Sequence, residues 1–565
     1  MSSLFLFIYL YFLFGKQFNL LKKLNDSMLE SVMFISKGKK VHLLNTIKKG
    51  KSTTFDFFTE LNQFESFDLK FTFNIEIVKF RNHDYTWVEI LKDDLIANQF
   101  VPKIIQLKNG FFIQANINFG VWEIKSNNNK TLLWRFNPKN SNSFTSFSKN
   151  ADKSITQART VNKFPVLPQL LFTKGSTIEF SRSKIPFTAI TCFTDHCDFD
   201  TPENLEIQRL FFAKHKIKVT KGFFLNHFSK RNDNASFENE SHEFLKWIDD
   251  GHELAYHSLS QSLKIREESI KDFKSFKPPL PSIPVWIDHG YQPYNFSVYK
   301  NHNLSDENYE NNLMEKKIKI LWNYIDSGTA ALGVINQLNS NDFTLNSFYK
   351  GSKSLKLRER LGALIKNMTI HYYADQKIIK QYRNVATYFK SVFLEKKINY
   401  IFKFVTSLFG IALPILKVFF TWYKSKNIPY RHAKYSSLFF KHKIDQSDFY
   451  IFQTLKIVDF KASLCKTNIE KLVSEKGIFI AHTYFSLPMT YHKGKMFKTL
   501  TTIDETVDEN FRLLAQKVAN QEIWNPTLSE LINYLSKLEE VVLDIDENEN
   551  VYICQNSGVF FRNVN

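Results

Sequence analysis

Cysteine is scarce in this chain. The 565 residues hold four, Cys192, Cys197, Cys465 and Cys554, at irregular intervals. That spacing excludes a disulfide framework and a cysteine-based metal knuckle. Free thiols favour a reducing compartment, so the expected location is the cytoplasm or the periphery of the inner membrane. Also missing is an unbroken apolar run of about 20 residues, the length needed to cross a bilayer. Leu4–Phe14 has eleven apolar residues, and Phe404–Leu416 has thirteen uncharged, mostly apolar ones interrupted by Pro414. The first stretch has no basic n-region and no small-residue cleavage site. An amphipathic or disordered apolar leader is therefore expected over 1–29 in preference to a signal peptide. No internal repeat is visible.

Acidic residues are nearly absent between His371 and Lys443, where Asp375 and Glu395 face fourteen Lys/Arg; this one segment supplies +12 of the net charge of +19. A basic, aromatic and apolar segment of this kind can lie on an anionic membrane surface. It can equally be a helical insertion packed on the main domain with a solvated basic face. Nucleic acid is an unfavoured partner, because no recognisable binding module accompanies the charge.

The chain is long enough for three to four domains. Residues 30–165 read as a β-rich sandwich or barrel. Phe67–Ile77 alternates apolar and polar residues with period two, and Gly120–Ile124 and Thr131–Pro138 flank an Asn-rich turn, a hairpin signal. The Ser/Asn/Lys-rich stretch 137–153 reads as a loop or linker. From about residue 184 strands and helices alternate, which implies a parallel sheet or a barrel. Thr201-Pro202 starts one helix as N-cap and first position, and Asn525-Pro526 starts another. Residues 341–474 read as a helical, basic insertion, and 541–565 as a short β tail.

Chemistry concentrates where an apolar run, Ile185–Ile190, leads into Thr191-Cys-Phe-Thr-Asp195-His196-Cys-Asp198-Phe-Asp200-Thr201. Clustered carboxylates and an imidazole after an apolar strand are how α/β enzymes bring acids, bases and metal ligands to strand ends. Asp200, beside the helix start, is expected to act at the cap. A second strand-to-loop follows in Gly251-His252-Glu253-Leu-Ala-Tyr-His257, and a third in Gly477-Ile-Phe-Ile-Ala-His482. The five-residue step from His252 to His257 does not suit a zinc-protease helix, and His252 reads as structural.

The order of these motifs resembles the NodB-homology polysaccharide deacetylase family, over roughly residues 182–340 and 475–540. The resemblance implies an α/β fold, a distorted (β/α) barrel of the polysaccharide deacetylase type. It also implies metal-dependent removal of acetyl groups from an N-acetylated glycan with a divalent ion, expected to be Zn²⁺. Asp195 falls where the family has its general base, with His196 or Asp198 at the metal aspartate. His257 matches the first metal histidine, and Gln261 stands at the second. Tyr291-Gln292-Pro293-Tyr294 keeps Pro-Tyr of the third motif and lacks its arginine; the resemblance gives the Tyr294 backbone N–H to the oxyanion. His482 matches the general acid. Trp286, His289, Tyr291 and Pro293 are expected to line the substrate pocket, and His289 is an alternative metal ligand. Two other classes remain open: a carbohydrate-binding or cell-envelope assembly protein without catalysis, and a glycosidase pairing Asp195 with Asp198.

Overall fold

The computed structural model describes residues 28–37, 39–43, 45–47, 53–55, 64–90, 94–148, 153–324, 332–486 and 496–565. The apolar stretch Leu4–Phe14 lies outside them.

The N-terminal part is two antiparallel sheets packed face to face. One has six strands and contains Leu29–Ser36, Phe67–Phe73, Val121–Lys125 and Asn128–Phe136; the other has five and contains Ile104–Leu107, Phe112–Ala115 and Leu170–Thr173. The period-two pattern is realised directly, since Phe67, Leu69, Phe71 and Phe73 all point into the core. Trp122 pairs with Trp134 across the hairpin at the Asn-rich turn. This layer extends past residue 165 through Leu170–Thr173. The expected linker is structured as well: Ser143–Phe147 and Lys153–Gln157 pair as an antiparallel hairpin.

The second part holds nine strands in one sheet. In chain order these are β1 (Ala189–Asp195), β2 (Thr220–Phe223), β3 (Glu253–Tyr256), β4 (Val285–Ile287), β5 (Ile320–Trp322), β6 (Phe439–Ile444), β7 (Ser447–Phe452), β8 (Leu455–Lys456) and β9 (Ile478–Thr483). Their spatial order is β6-β7-β5-β4-β3-β2-β1-β9-β8, and a short β10 (Ile523–Trp524) also pairs with β1. Every pairing is parallel except β6–β7. Helices α1 (Pro202–His215), α2 (Phe237–Asp249), α3 (Arg266–Ser275) and α4 (Asp306–Glu315) connect the first five strands.

The expected distorted (β/α) barrel is not formed. Closure needs the end strands to hydrogen-bond to each other. Here one end is the antiparallel β6 and the other is the two-residue β8, and the sheet is an open half-barrel. The cause is visible along the chain. After β5 it leaves the sheet for a helical excursion that includes α5 (Gln376–Phe389) and α6 (Ile401–Phe420), and it returns as the β6–β7 hairpin. The helical stretch expected over 341–474 is thus interrupted by β6, β7 and β8, and helices resume at Phe460–Ser463 and Lys466–Ser474. By length and composition the helix over Ile398–Phe420 could cross a membrane. The C-terminal strands close the molecule: Val542–Ile545 pairs with Val551–Gln555, and Phe561–Val564 pairs with Thr177–Phe180.

Of the two expected caps, one is formed. Thr201 caps α1 by accepting from the Asn204 amide, with Pro202 in its first turn. Asn525 does not cap the last helix, Leu528–Ser536, which starts on Thr527. Its side chain instead donates to the Thr191 carbonyl at 2.9 Å and accepts from the Lys218 amide at 2.6 Å, joining β1 to the approach to β2.

Candidate functional site

The carboxyl ends of the parallel strands converge on a cavity of about 430 Å³, the region where open α/β sheets bind ligands. Strand register explains the convergence. Thr194 of β1 lies beside His482 of β9, and Asp195 lies beside Thr483. The His196 amide then donates to the Thr483 carbonyl at 2.9 Å, carrying the histidine one step past the strand. The His196 and His482 rings stack with centroids 3.8 Å apart at 22°. His257 follows β3 directly, and its amide donates to the Phe223 carbonyl at 2.8 Å. Ser258, the next residue, takes a left-handed conformation (φ 65°) that turns the chain away. His289 follows β4, and its ring lies 4.8 Å from that of His257.

Asp198 sits between two of these imidazoles. Its Oδ2 faces His257 Nε2 at 2.9 Å, and its Oδ1 faces His289 Nε2 at 2.8 Å. Burial would raise this carboxyl, but His289 and His257 outweigh it and hold it well below the usual carboxylate range. Burial lowers His257, opposed by Asp198. Burial also drives His196 well below the usual imidazole range, helped by His482 and His257. A neutral imidazole is the form that binds metal.

One ligand atom from each of His196, Asp198 and His257 lies within 4.8 Å of the others, and all three residues are buried. Two imidazoles and a carboxylate are a donor set for Zn²⁺ or a similar divalent ion. The Nδ1 atoms of His257 and His289 are buried without a hydrogen-bond partner among the described residues. Buried polar atoms rarely stay unpaired, so the residues present fit a cation.

Other expected site residues lie elsewhere. Asp195 does not line the cavity. Its Oδ2 accepts from the buried ammonium of Lys221 and its Oδ1 from the Phe485 amide at 3.3 Å. Lys221 also donates to Asp200 Oδ2 at 2.6 Å and to Gln208 Oε1 at 2.9 Å, so three acceptors meet its three protons. Burial alone would lower Lys221, but Asp195 and Asp200 outweigh it and raise it. Asp200 is therefore a partner of Lys221, not a cap. Asp195 held in this network is not positioned as a base, and it does not face Asp198 across the cavity as a glycosidase pair would. Gly222 on β2 permits the close fit, because a Cβ there would overlap the Asp195 carbonyl oxygen.

Gln261 is not at the site; its Oε1 accepts from Ser229 and Ser262 at 3.3 and 3.2 Å. His289 occupies the neighbourhood in its stead. Tyr294 is buried away from the cavity, with its hydroxyl accepting from Ser258 at 3.2 Å and its ring stacked on Phe273. Trp286 and Pro293 are also buried off the cavity. Trp286 donates from Nε1 to Asp288 Oδ1 at 3.1 Å. Asp288 in turn accepts from the Phe296 and Ser297 amides, both at 2.9 Å, and so fixes the loop that bears His289. Tyr291 does line the cavity and is half exposed. His252 is structural as expected, accepting from the Val219 amide at 3.2 Å.

Several wall residues escape a reading of the sequence. Trp322 ends β5, and Tyr484 lies just past the end of β9, two residues beyond His482. Lys456 reaches over the Tyr484 ring at 5.5 Å. Phe147 and Lys153 come from the 143–157 hairpin, and Phe147 meets Tyr291 and Tyr324 edge-on. The Tyr484 spacing is readable in the chain; nothing in the polar 137–153 stretch announces a cavity wall.

A scan against protein-family models finds no match to this chain, and a search of curated proteins finds none.

Proposed function

We propose that the protein is a metal-dependent hydrolase that removes an acyl group, acetyl in the first instance, from an N-acetylated glycan. The observation that supports this most is the buried trio of His196, Asp198 and His257 at the carboxyl ends of parallel strands. A divalent ion held by these three would supply Lewis acidity at the acyl oxygen and acidify water at neutral pH. His289 braces Asp198 from its other oxygen and keeps the carboxylate ionised. His482, flat against His196 on the cavity wall, is the residue we assign to proton transfer to the leaving amine. With Asp195 engaged by Lys221, His482 also receives the proton from water. Tyr291, Trp322, Tyr324 and Tyr484 offer aromatic faces of the kind that stack on sugar rings, and the cavity has the volume of an ordinary small-ligand site.

The test is metal content by elemental analysis of purified protein, together with acetate release from N-acetylated oligosaccharides. Near-stoichiometric metal lost in His257→Ala, with acetate release lost in His482→Ala, supports the reading. Protein without metal that also releases no acetate overturns it. A second reading, glycan binding without turnover, draws on the burial of Asp195 in its ion pair. It expects oligosaccharide binding that survives His482→Ala and no acetate at any metal loading.

A further inference from the structure

Among the described residues, exposed large apolar side chains concentrate on the α5–α6 hairpin. Helix α6 buries Ile411, Ile415 and Val418. These follow a spacing of four and three, so they form one stripe. On the same side Gly410 lets α5 approach closely, since a Cβ there would crowd the Gln381 amide. Much of the rest of the helix is apolar and open. Phe402 is 77% exposed, Phe409 66%, Leu413 70% and Phe420 87%. At the tip, Phe389, Phe393 and Phe404 cluster with ring centroids 4.9–6.2 Å apart. Soluble surfaces seldom present contiguous apolar area of this kind without a partner.

Charge identifies the partner. From Gln376 to Lys426 there are ten Lys/Arg and one acid, Glu395. Glu395 engages Lys397 at 2.9 Å, and Lys403 and Lys417 stand exposed toward either end of α6. Aromatic and aliphatic side chains between lysines match the boundary between acyl chains and anionic headgroups. We infer that the α5–α6 hairpin docks the protein on an anionic lipid surface, lying in the interface and not crossing it. Although α6 is long enough to cross, one of its faces is covered by protein, and Pro414 and Lys417 fall within it. A cavity of about 300 Å³ at the root of the hairpin, lined by Lys366, Arg383 and Tyr430 among others, shares Lys153 and Tyr324 with the candidate site. The cavity at the root of the docking element and the candidate site therefore share a wall. The inference does not depend on the hydrolase reading.

The experiment is flotation of the full chain with vesicles of phosphatidylcholine alone or mixed with phosphatidylglycerol. The expected result is retention on the anionic vesicles at low salt and release at high salt. Phe402→Ser/Phe409→Ser/Leu413→Ser and Lys396→Glu/Lys397→Glu should each cut the bound fraction about tenfold while leaving the thermal melt in place. The altered residues are exposed, so folding should survive. Failure to bind anionic vesicles, or binding untouched by both variants, overturns the inference. Retention that only detergent reverses overturns it in favour of a spanning helix. A dimer that the triple serine variant dissociates, without vesicle binding, assigns the surface to a second copy and also overturns it.

Discussion

Lys221 and Asp195 form a fully buried ion pair beneath the candidate site, with Asp200 as the second carboxylate on the same ammonium. The pair sits at the end of β1, where the chain turns out to present His196 and Asp198. It anchors the strand end and does not touch the cavity.

Lys221→Met should therefore destabilise strongly, because two buried carboxylates would lose their shared cation. The expected loss is about 3–5 kcal/mol, read by urea denaturation. Combining it with Asp195→Asn and Asp200→Asn should recover much of that loss, since no buried charge remains unpaired.

Asp195→Asn alone separates an anchoring role from a catalytic one. A general base removed from the reaction costs roughly 10²–10⁴ in rate. We expect acetate release within about tenfold of the parent, bound metal unchanged and a lower denaturation midpoint. A rate loss of the full size with stability intact would return Asp195 to the chemistry.

His289→Ala should weaken metal binding by about 10–100-fold without abolishing it, as expected for a residue that orients a ligand carboxylate. His257→Ala should abolish stoichiometric metal. Elemental analysis and competition with a chromophoric chelator distinguish the two.

Stability should fall as pH drops from 6.5 toward 4. Burial lowers His252 from 6.5 to about 4 and His442 from 6.5 to about 3. In that window the unfolded chain takes up protons that the folded chain refuses. The contribution is complete above pH 6.5 and is lost progressively below it, on the order of 3 kcal/mol for each histidine. His442 packs flat on Phe144 and edge-on to Phe296. Thermal melts of His442→Phe across this range should show a shallower acid slope than the parent.

Gly222→Ala should cost about 1–3 kcal/mol by overpacking, because the added methyl overlaps the Asp195 carbonyl. The same displacement moves the start of the His196–Asp198 segment, so metal affinity should fall with stability. Chemical denaturation and metal titration of one preparation measure both.

Much of this architecture is legible in residue pattern. Period-two alternation at Phe67–Phe73 marks a strand with one buried face, and Thr201-Pro202 marks a helix start, because local physics decides both. The trio His196, Asp198 and His257 is within reach of the sequence because carboxylates and imidazoles rarely cluster after apolar strands unless they share a ligand or one another. Asp195 misleads for a long-range reason: its partner, Lys221, lies on the neighbouring strand, and nothing local marks a lysine that will be buried. Gln261 and His289 exchange importance in the same way, since only the turn at Ser258 and the loop held by Asp288 decide which side chain reaches Asp198. Closure of the sheet is equally hidden, because strand–helix alternation fixes parallel pairing and leaves open what borders the last strand. The β6–β7 hairpin decides that, and it lies beyond a long helical excursion.

The 143–157 hairpin supplies one wall of the candidate site. Phe147 and Lys153 belong to a ribbon that supplies none of His196, Asp198 and His257, so its side chains can be changed without altering that trio. Excising the chain through residue 173 would remove Phe147 and Lys153 together with the N-terminal sheets and leave that side of the cavity open.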